Sequence, residues 1–155
     1  MTTAQSSPDS PKRARSVVRM RVHYVEVDRM GFLHHSNHLR YFERGREEFC
    51  RRRAAAYREM EDAGVLVVVV DANLQYKTPL KYEDVVDVEL VLAEVKHASI
   101  TFEYAVRRVS DGALAATGRT RHAFVSREGR VLRPPPHVLE LLQGEETLQR
   151  TGELD

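Results

Sequence analysis

The stretch from Val27 to Phe49, VDRMGFLHHSNHLRYFERGREEF, places a carboxylate just ahead of a predicted helix. Asp28 ends an alternating run, and Gly31 follows it closely. Ser36 or Asn37 can serve as an N-cap, because a short polar side chain there accepts from the free amides of the first turn. A carboxylate can attack or deprotonate water, and first-turn amides can bind the negative charge that develops. Together these features favour transfer of an acyl group to water.

The residues alone leave other interpretations of this stretch open. An aspartate before a glycine is also ordinary turn chemistry, in which the carboxylate caps its own loop. His34 and His38 are four apart, a spacing that binds zinc when both lie on one helix, but the predicted cap separates them. We therefore expect no metal site. The side chain of His35 suits either acid–base chemistry or a structural hydrogen bond.

A series of predicted elements must position these residues. Alternation of apolar and polar residues from Val18 to Val27 predicts a half-buried strand that ends at Asp28. An apolar stripe from Leu39 to Met60, closed by Gly64, predicts one helix of about 25 residues. Strand-like segments follow within 64–80, 82–96, 98–110 and 113–127. The prediction is an α+β fold in which an antiparallel sheet of about five strands wraps one long central helix.

We expect one globular domain with two tails. A chain of 155 residues with 42% hydrophobic content is enough for one core. Residues 1–16 are predicted to form a disordered tail and 143–155 a frayed one, which leaves 17–142 as the domain. The apolar run Val65–Val70 predicts a central strand buried on both faces. Because one helix cannot cover both faces of a broad sheet, we expect association with a second copy.

Composition argues against several classes of protein. The net charge is only +1, and aromatic residues do not interleave with a basic strand face, so nucleic-acid binding has little support. Cys50 is the one cysteine, which excludes an internal disulfide. The N-terminal residues lack the apolar core of a signal peptide, and no segment approaches the roughly 20 apolar residues of a membrane span. We therefore expect a cytoplasmic protein.

Residues 24–46, YVEVDRMGFLHHSNHLRYFERGR, resemble the signature of the 4-hydroxybenzoyl-CoA thioesterase-like acyl-CoA thioesterases, which have the hotdog fold. The shared pattern runs from an aspartate through a glycine and a small polar pair into an aromatic-rich helix that ends in Glu-Arg-x-Arg. The segments NLQYKTPLKYEDVVDVEL, HASITFEYAVRR and GRTRHAFVSREGR also resemble the family's later strands. The resemblance covers about residues 17–142, and the hotdog order of elements is the order predicted above.

The resemblance implies roles for individual residues at the strand-to-helix junction. Asp28 matches the family's catalytic aspartate, a nucleophile or general base. Gly31 matches the motif glycine, and His35 stands where a backbone amide at the helix start polarises the thioester carbonyl. These three residues are the expected catalytic set.

The resemblance also implies a binding site for the substrate. Lys96 and His97, ahead of Ser99, fall where family members hold the phosphates of CoA, although His97 departs from the more usual Arg or Lys. Tyr41 is interpreted as core or as lining of the acyl pocket. No metal or redox cofactor is required, since CoA is part of the substrate. A homodimer or homotetramer is expected.

The sequence thus predicts an acyl-CoA thioesterase that releases a carboxylic acid and free CoA. One alternative is a thioesterase that acts on acyl carrier protein, whose acidic surface would meet the basic helix flank at Arg51, Arg52 and Arg53. Another is a non-catalytic module that binds acyl-CoA, since a fold does not fix a function.

Overall fold

The computed structural model describes residues 13–144 and the backbone of 151–152. Most of the two predicted tails, at 1–12, 145–150 and 153–155, lies outside these described residues. The first strand begins two residues before the predicted domain boundary. The elements are β1 (Arg15–Arg21), a single 3-10 turn (Tyr24–Glu26), α1 (Asn37–Arg52), α2 (Ala54–Asp62), β2 (Leu66–Tyr76), β3 (Val85–Val95), β4 (Ser99–Arg108), β5 (Leu114–Val125), α3 (Pro136–Gln143) and β6 (Thr151–Gly152).

One sheet, in the order β2-β5-β4-β3-β1-β6, carries the long helix. Neighbouring strands run antiparallel except for the short β6, which runs parallel to β1. Helix α1 packs on β1 and β3. The α+β prediction, with an antiparallel sheet of about five strands around a helix, is confirmed.

Aromatic stacking fixes the distance between α1 and the sheet. The Phe42 ring stacks on Tyr104 with centroids 4.2 Å apart, and Phe49 meets Phe102 edge-on at 5.1 Å. Gly118 of β5 lies directly beneath Phe42, where a Cβ atom would overlap the ring. The missing side chain therefore allows the helix to pack closely on the sheet.

The predicted single helix of about 25 residues is wrong, because the helical segment breaks at Arg53 into α1 and α2. The Arg53 side chain is buried, and its guanidinium lies 3.8 Å from the centre of the Phe49 ring. It donates to the carbonyl oxygens of Leu142, at 2.9 Å, and Gly144, at 3.1 Å. These carbonyls end α3, so the break lets one arginine cap a distant helix.

The prediction that Val65–Val70 forms a central strand buried on both faces is also wrong. Strand β2 lies at an edge of the sheet and pairs with β5 alone among the described strands. Val68, Val69 and Val70 are 37%, 51% and 47% exposed. An apolar run predicts a strand that is buried in the functional protein. It does not show whether the residues that bury it belong to the same chain or to another.

A chain of hydrogen bonds runs from α1 into the buried face of the sheet. Arg46 Nη1 donates to Tyr104 Oη at 3.0 Å, and Tyr104 Oη pairs with Thr120 Oγ1. Thr120 Oγ1 in turn pairs with His122 Nε2 at 2.8 Å. Burial, and then the charge of Arg46, lower the pKa of His122 to about 4. His122 is therefore neutral at physiological pH.

Substitution of Gly118 by alanine should destabilise the protein by about 1–3 kcal/mol, because the new methyl group forces the Phe42 ring out of its stack. Thermal and urea unfolding would measure the change. Gly45→Ala is the matched control, because its Cβ would meet Val88 Cγ1 at an ordinary 3.4 Å. Equal stability of the two variants would contradict the close packing at Gly118.

Substitution of His122 by glutamine should flatten the acid side of the stability profile. The folded-state pKa of His122, about 4, lies below the ordinary 6.5, so the unfolded chain takes up the proton first as pH falls. The free energy of unfolding should therefore fall between about pH 6.5 and pH 4 in the wild type, and less steeply in His122→Gln. Urea unfolding across that range tests this, with exposed His97→Gln as control. Parallel profiles for wild type and His122→Gln would refute it.

Candidate active site

Asp28 is held in one orientation by the loop that follows it. Its Oδ1 accepts from the backbone amides of Met30, at 2.9 Å, and Phe32, at 3.1 Å. The Asp28 amide donates to the Phe32 carbonyl at 2.7 Å, and Gly31 turns the chain with a φ of 84°, which favours glycine. Within the described residues Oδ2 has no hydrogen-bond partner. Asp28 can therefore cap its own loop through Oδ1 and still react through Oδ2.

The start of α1 is fixed by backbone contacts rather than by the predicted cap. Ser36 occupies the N-cap position without a side-chain capping bond, and its Oγ pairs with His34 Nδ1 at 2.7 Å instead. The Asn37 side-chain amide donates to the Glu26 carbonyl at 2.8 Å, and the His34 amide donates to the same oxygen at 2.9 Å. The helix start is thereby tied to the 3-10 turn that precedes Asp28.

The backbone amide of His35 makes no hydrogen bond within the part of the chain that the structure describes. Its carbonyl accepts from Tyr76 Oη at 3.0 Å, which orients the peptide unit. The imidazole ring is exposed and lies 4.0 Å from the His34 ring. A free amide at a helix start is a donor for an anionic or polarised oxygen.

A half-open cavity of about 290 Å³ brings these groups together. It lies between the Asp28 loop, the first turn of α1 and the end of β2. Mixed polar and apolar walls of this kind suit a small organic group with one reactive polar centre. Its lining includes Asp28, His35, His38, Lys77, Phe32 and Tyr76.

His38 lines the same cavity, although the sequence singled it out only through its spacing from His34. It is 4% exposed, and its ring meets Tyr76 edge-on with centroids 5.1 Å apart. Burial, and then the charge of His35, lower the pKa of His38 to about 4. At neutral pH a neutral imidazole and the Asp28 carboxyl group therefore line the same cavity.

Tyr41, interpreted from the sequence as core or pocket lining, is buried and does not line this cavity. Its hydroxyl donates to Glu26 Oε1 at 2.9 Å. Burial, and then the Glu26 carboxylate, raise the pKa of Tyr41. In the single chain Tyr41 therefore ties α1 to the 3-10 turn that precedes Asp28.

The predicted CoA-binding residues Lys96, His97 and Ser99 lie at the turn between β3 and β4, away from the cavity. Ser99 pairs with Ala123 of β5, whereas Ala115, at the other end of β5, lines the cavity. The separation of eight positions corresponds to roughly 26 Å of strand. One chain alone does not bring these residues to Asp28, and their role stays a prediction.

The sequence did not identify Glu26, Tyr76 and Lys77 as residues that build the site. Glu26 was included in a predicted strand, and Tyr76 and Lys77 lie where a strand runs into the predicted turn at 78–82. Their contacts are tertiary, so no local pattern reveals them. The strand order places β1 and β2 apart in the sheet, and the chain after β2 meets the Asp28 loop through the isolated bridge between Phe32 and Lys81, so the order of elements could not have pointed to Tyr76.

The described residues also bear on metals and membranes. Within 13–144, no three His, Cys, Asp or Glu side chains are grouped closely enough to hold a metal ion. No helix in that part of the chain is both long and apolar enough to cross a bilayer.

Comparison with known proteins places the fold in a family. The sequence profile of the Thioesterase-like superfamily matches residues 22–142. The crystal structure of a hypothetical protein from Aquifex aeolicus is 40% identical with a TM-score of 0.73, and covers 81% of this chain and 98% of that one. The acyl-CoA thioesterase YbgC of Haemophilus influenzae is 32% identical over 90 residues, which are 57% of this chain and 66% of YbgC.

A more distant structure establishes the fold by name. The crystal structure of a 4-hydroxybenzoyl-CoA thioesterase is 17% identical with a TM-score of 0.74, and covers 83% of this chain and 98% of that one. At this identity the likeness concerns the fold, which is the hotdog fold. With its profile match across most of the described residues, this chain belongs to the Thioesterase-like superfamily.

Proposed function

We propose that this thioester hydrolase acts on acyl-CoA and that Asp28 is its nucleophile or general base. The observation that carries the proposal is the pairing, in one cavity, of a fixed carboxylate with an unbonded backbone amide at a helix start. Asp28 is held by two amides of its own loop, and the amide of His35 has no partner within the described residues. Both residues line the cavity.

These two groups divide the work of hydrolysis. Asp28 either attacks the thioester carbon or removes a proton from the water that does so. The His35 amide donates to the carbonyl oxygen as negative charge develops there, a contribution typically worth about 10²- to 10³-fold in rate. Gly31 keeps the loop compact, because its φ of 84° strains other residues.

The assignment of CoA as the leaving thiol rests on similarity to a named acyl-CoA thioesterase and on basic residues of this chain. YbgC of Haemophilus influenzae is named an acyl-CoA thioesterase. Lys77 lines the cavity as its basic residue, and its ammonium donates to Gln75 Oε1 at 3.1 Å. We assign the phosphates of CoA to Lys96, His97 and Ser99, as the family resemblance implies, and Lys96 and His97 are exposed.

A second copy of the chain can bring those residues to the cavity. The exposed edge of β2 is apolar and free to accept another strand. If two β2 strands pair antiparallel about a twofold axis, Tyr76 of one copy lies beside Leu66 of the other. Leu66 pairs with Val125, at the same end of the sheet as the turn between β3 and β4. Lys96 of the partner subunit would then reach the end of the joined sheet that contains the cavity.

The alternative of an acyl carrier protein gains no support from the basic helix flank. Arg51 pairs with Glu47 at 3.6 Å and with Glu48 at 2.8 Å. Arg52 pairs with the same Glu48 at 3.3 Å, and Arg53 is buried against α3. Most of this charge is therefore balanced within the helix. A non-catalytic binding module would retain ligand binding but would show no dependence of hydrolysis on Asp28.

Substitution of Asp28 by asparagine should lower turnover by about 10²- to 10⁴-fold, because the amide neither attacks nor accepts a proton. The fold should persist, since the asparagine oxygen can still accept from Met30 and Phe32. The measurement is release of free thiol from short, long and aromatic acyl-CoA esters. Asp62→Asn, at the exposed end of α2, is the control and should leave turnover unchanged. Full activity of Asp28→Asn would end the assignment.

Substitution of Val69 by lysine should weaken self-association by about tenfold or more, because it places a charge on the proposed β2 edge contact. Sedimentation of both proteins over a range of concentrations measures the change. Val131→Lys, at a site 67% exposed away from β2, is the control. A monomeric wild type, or an unaltered assembly of Val69→Lys, would rule out this edge as the contact.

A further inference from the structure

His38 has a buried ring nitrogen without a partner. Its Nδ1 is closed off from solvent and makes no hydrogen bond within the described residues, and Nε2 makes none there either but keeps some exposure. The residue as a whole is 4% exposed and lines the cavity that holds Asp28 and His35. Because a ligand in the cavity cannot reach Nδ1, Nε2 is the ring nitrogen that can contact a bound group.

The ring is nevertheless well positioned. His38 is the second residue of α1, and helix side chains lean toward the N-terminus, so its ring projects toward the helix start. Tyr76 packs edge-on against it at 5.1 Å and also donates to the His35 carbonyl at 3.0 Å. One tyrosine thereby holds both the His38 ring and the peptide unit of His35. A group bound at the His35 amide would lie beside this imidazole.

The neutral state of the His38 ring suits donation of a hydrogen bond rather than transfer of a proton. Burial lowers the pKa of His38 to about 4, so the ring is neutral when the enzyme works near neutral pH. A neutral imidazole offers one N–H, and in a dry site that N–H can polarise a carbonyl without surrendering its proton. No contact within the described residues fixes the tautomer, so Nε2 can carry this N–H.

We propose that His38 is a further catalytic residue, whose neutral imidazole donates a hydrogen bond to the carbonyl oxygen of the bound thioester. The inference rests on the proposed function. An oxygen of Asp28 or of water bonds to the carbonyl carbon, and the π pair of the C=O bond moves onto its oxygen. His38 and the His35 amide donate to that oxygen. The tetrahedral species then collapses, the C–S bond breaks, and its electron pair leaves on the sulfur of CoA.

The proton of His38 stays on nitrogen throughout this sequence. Where water attacks, its proton passes to Asp28 and is returned to the departing sulfur, which yields the acid and the free thiol. Where Asp28 attacks, water hydrolyses the resulting anhydride through the same oxygen-binding site. The role of His38 is thus the same for either form of attack.

Two variants of different chemistry test the role by kinetics. His38→Leu replaces the ring with an apolar side chain that has no hydrogen-bond donor. It should lower kcat by about 10- to 10³-fold with little change in KM. His38→Gln retains an N–H near the position of Nε2 and should keep turnover within about tenfold of the wild type. Butyryl-CoA and benzoyl-CoA serve as substrates, and thermal unfolding confirms that both variants fold. Wild-type kcat in His38→Leu, or losses that simply follow stability, would overturn the proposal.

A binding experiment keeps the test independent of turnover. A dethia analogue of butyryl-CoA, in which a methylene replaces the thioester sulfur, retains the carbonyl but cannot be hydrolysed. Its binding should move the imidazole ¹⁵N resonances of His38, assigned by their absence in His38→Gln. No binding, or binding that leaves those resonances in place, would overturn the role of His38 even in an active enzyme. A shift in a protein that hydrolyses no ester would support His38 and refute the hydrolase instead.

Discussion

The active-site geometry depends on Glu26, which ties the start of α1 to the loop that contains Asp28. Its carbonyl accepts from the His34 amide and from the side chain of Asn37, at 2.9 and 2.8 Å. Its carboxylate accepts from the Tyr41 hydroxyl at 2.9 Å and from the amide of His23 at 2.8 Å. Because backbone and side chain act together, the helix cannot shift along its axis without breaking several hydrogen bonds at once. The distance between the carboxylate and the helix start is fixed by this residue.

The site combines groups that are fully bonded with groups that are not. One oxygen of Asp28 is committed to its own loop, and the His35 carbonyl is committed to Tyr76. The His35 amide and both ring nitrogens of His38 have no partners within the described residues. Preorganised donors left unpaired in a partly dry cavity stabilise developing charge without reorganisation. Unpaired groups that destabilise the free protein can therefore favour a transition state.

The fold could be predicted from the sequence where local patterns decide it. Strand periodicity and the polar pair at the start of α1 placed the helix start within one residue of Asn37. The break at Arg53 was missed because its partner, Leu142, is 89 residues away. Val69 was placed at the centre of the sheet because an apolar run does not reveal which chain covers it. Asp28 was identified through its motif, whereas the orphan nitrogen of His38 exists only once Tyr76 has packed against the ring.

Stability and activity are coupled in the proposed dimer because they use the same sheet edge. In a single chain the cavity that Asp28 lines reaches one end of β5, whereas the predicted phosphate contact Lys96 lies near the other end, roughly 26 Å away along the strand. Antiparallel pairing of two β2 strands would bury the exposed valines. The same twofold axis reverses the direction of the second sheet, which brings Lys96 of the partner subunit toward the cavity. In this proposal one chain supplies the catalytic groups, and its neighbour supplies the contacts with the phosphates of CoA. Separation of the copies should therefore weaken substrate binding while the arrangement of Asp28 and His35, which depends on contacts within one chain, persists.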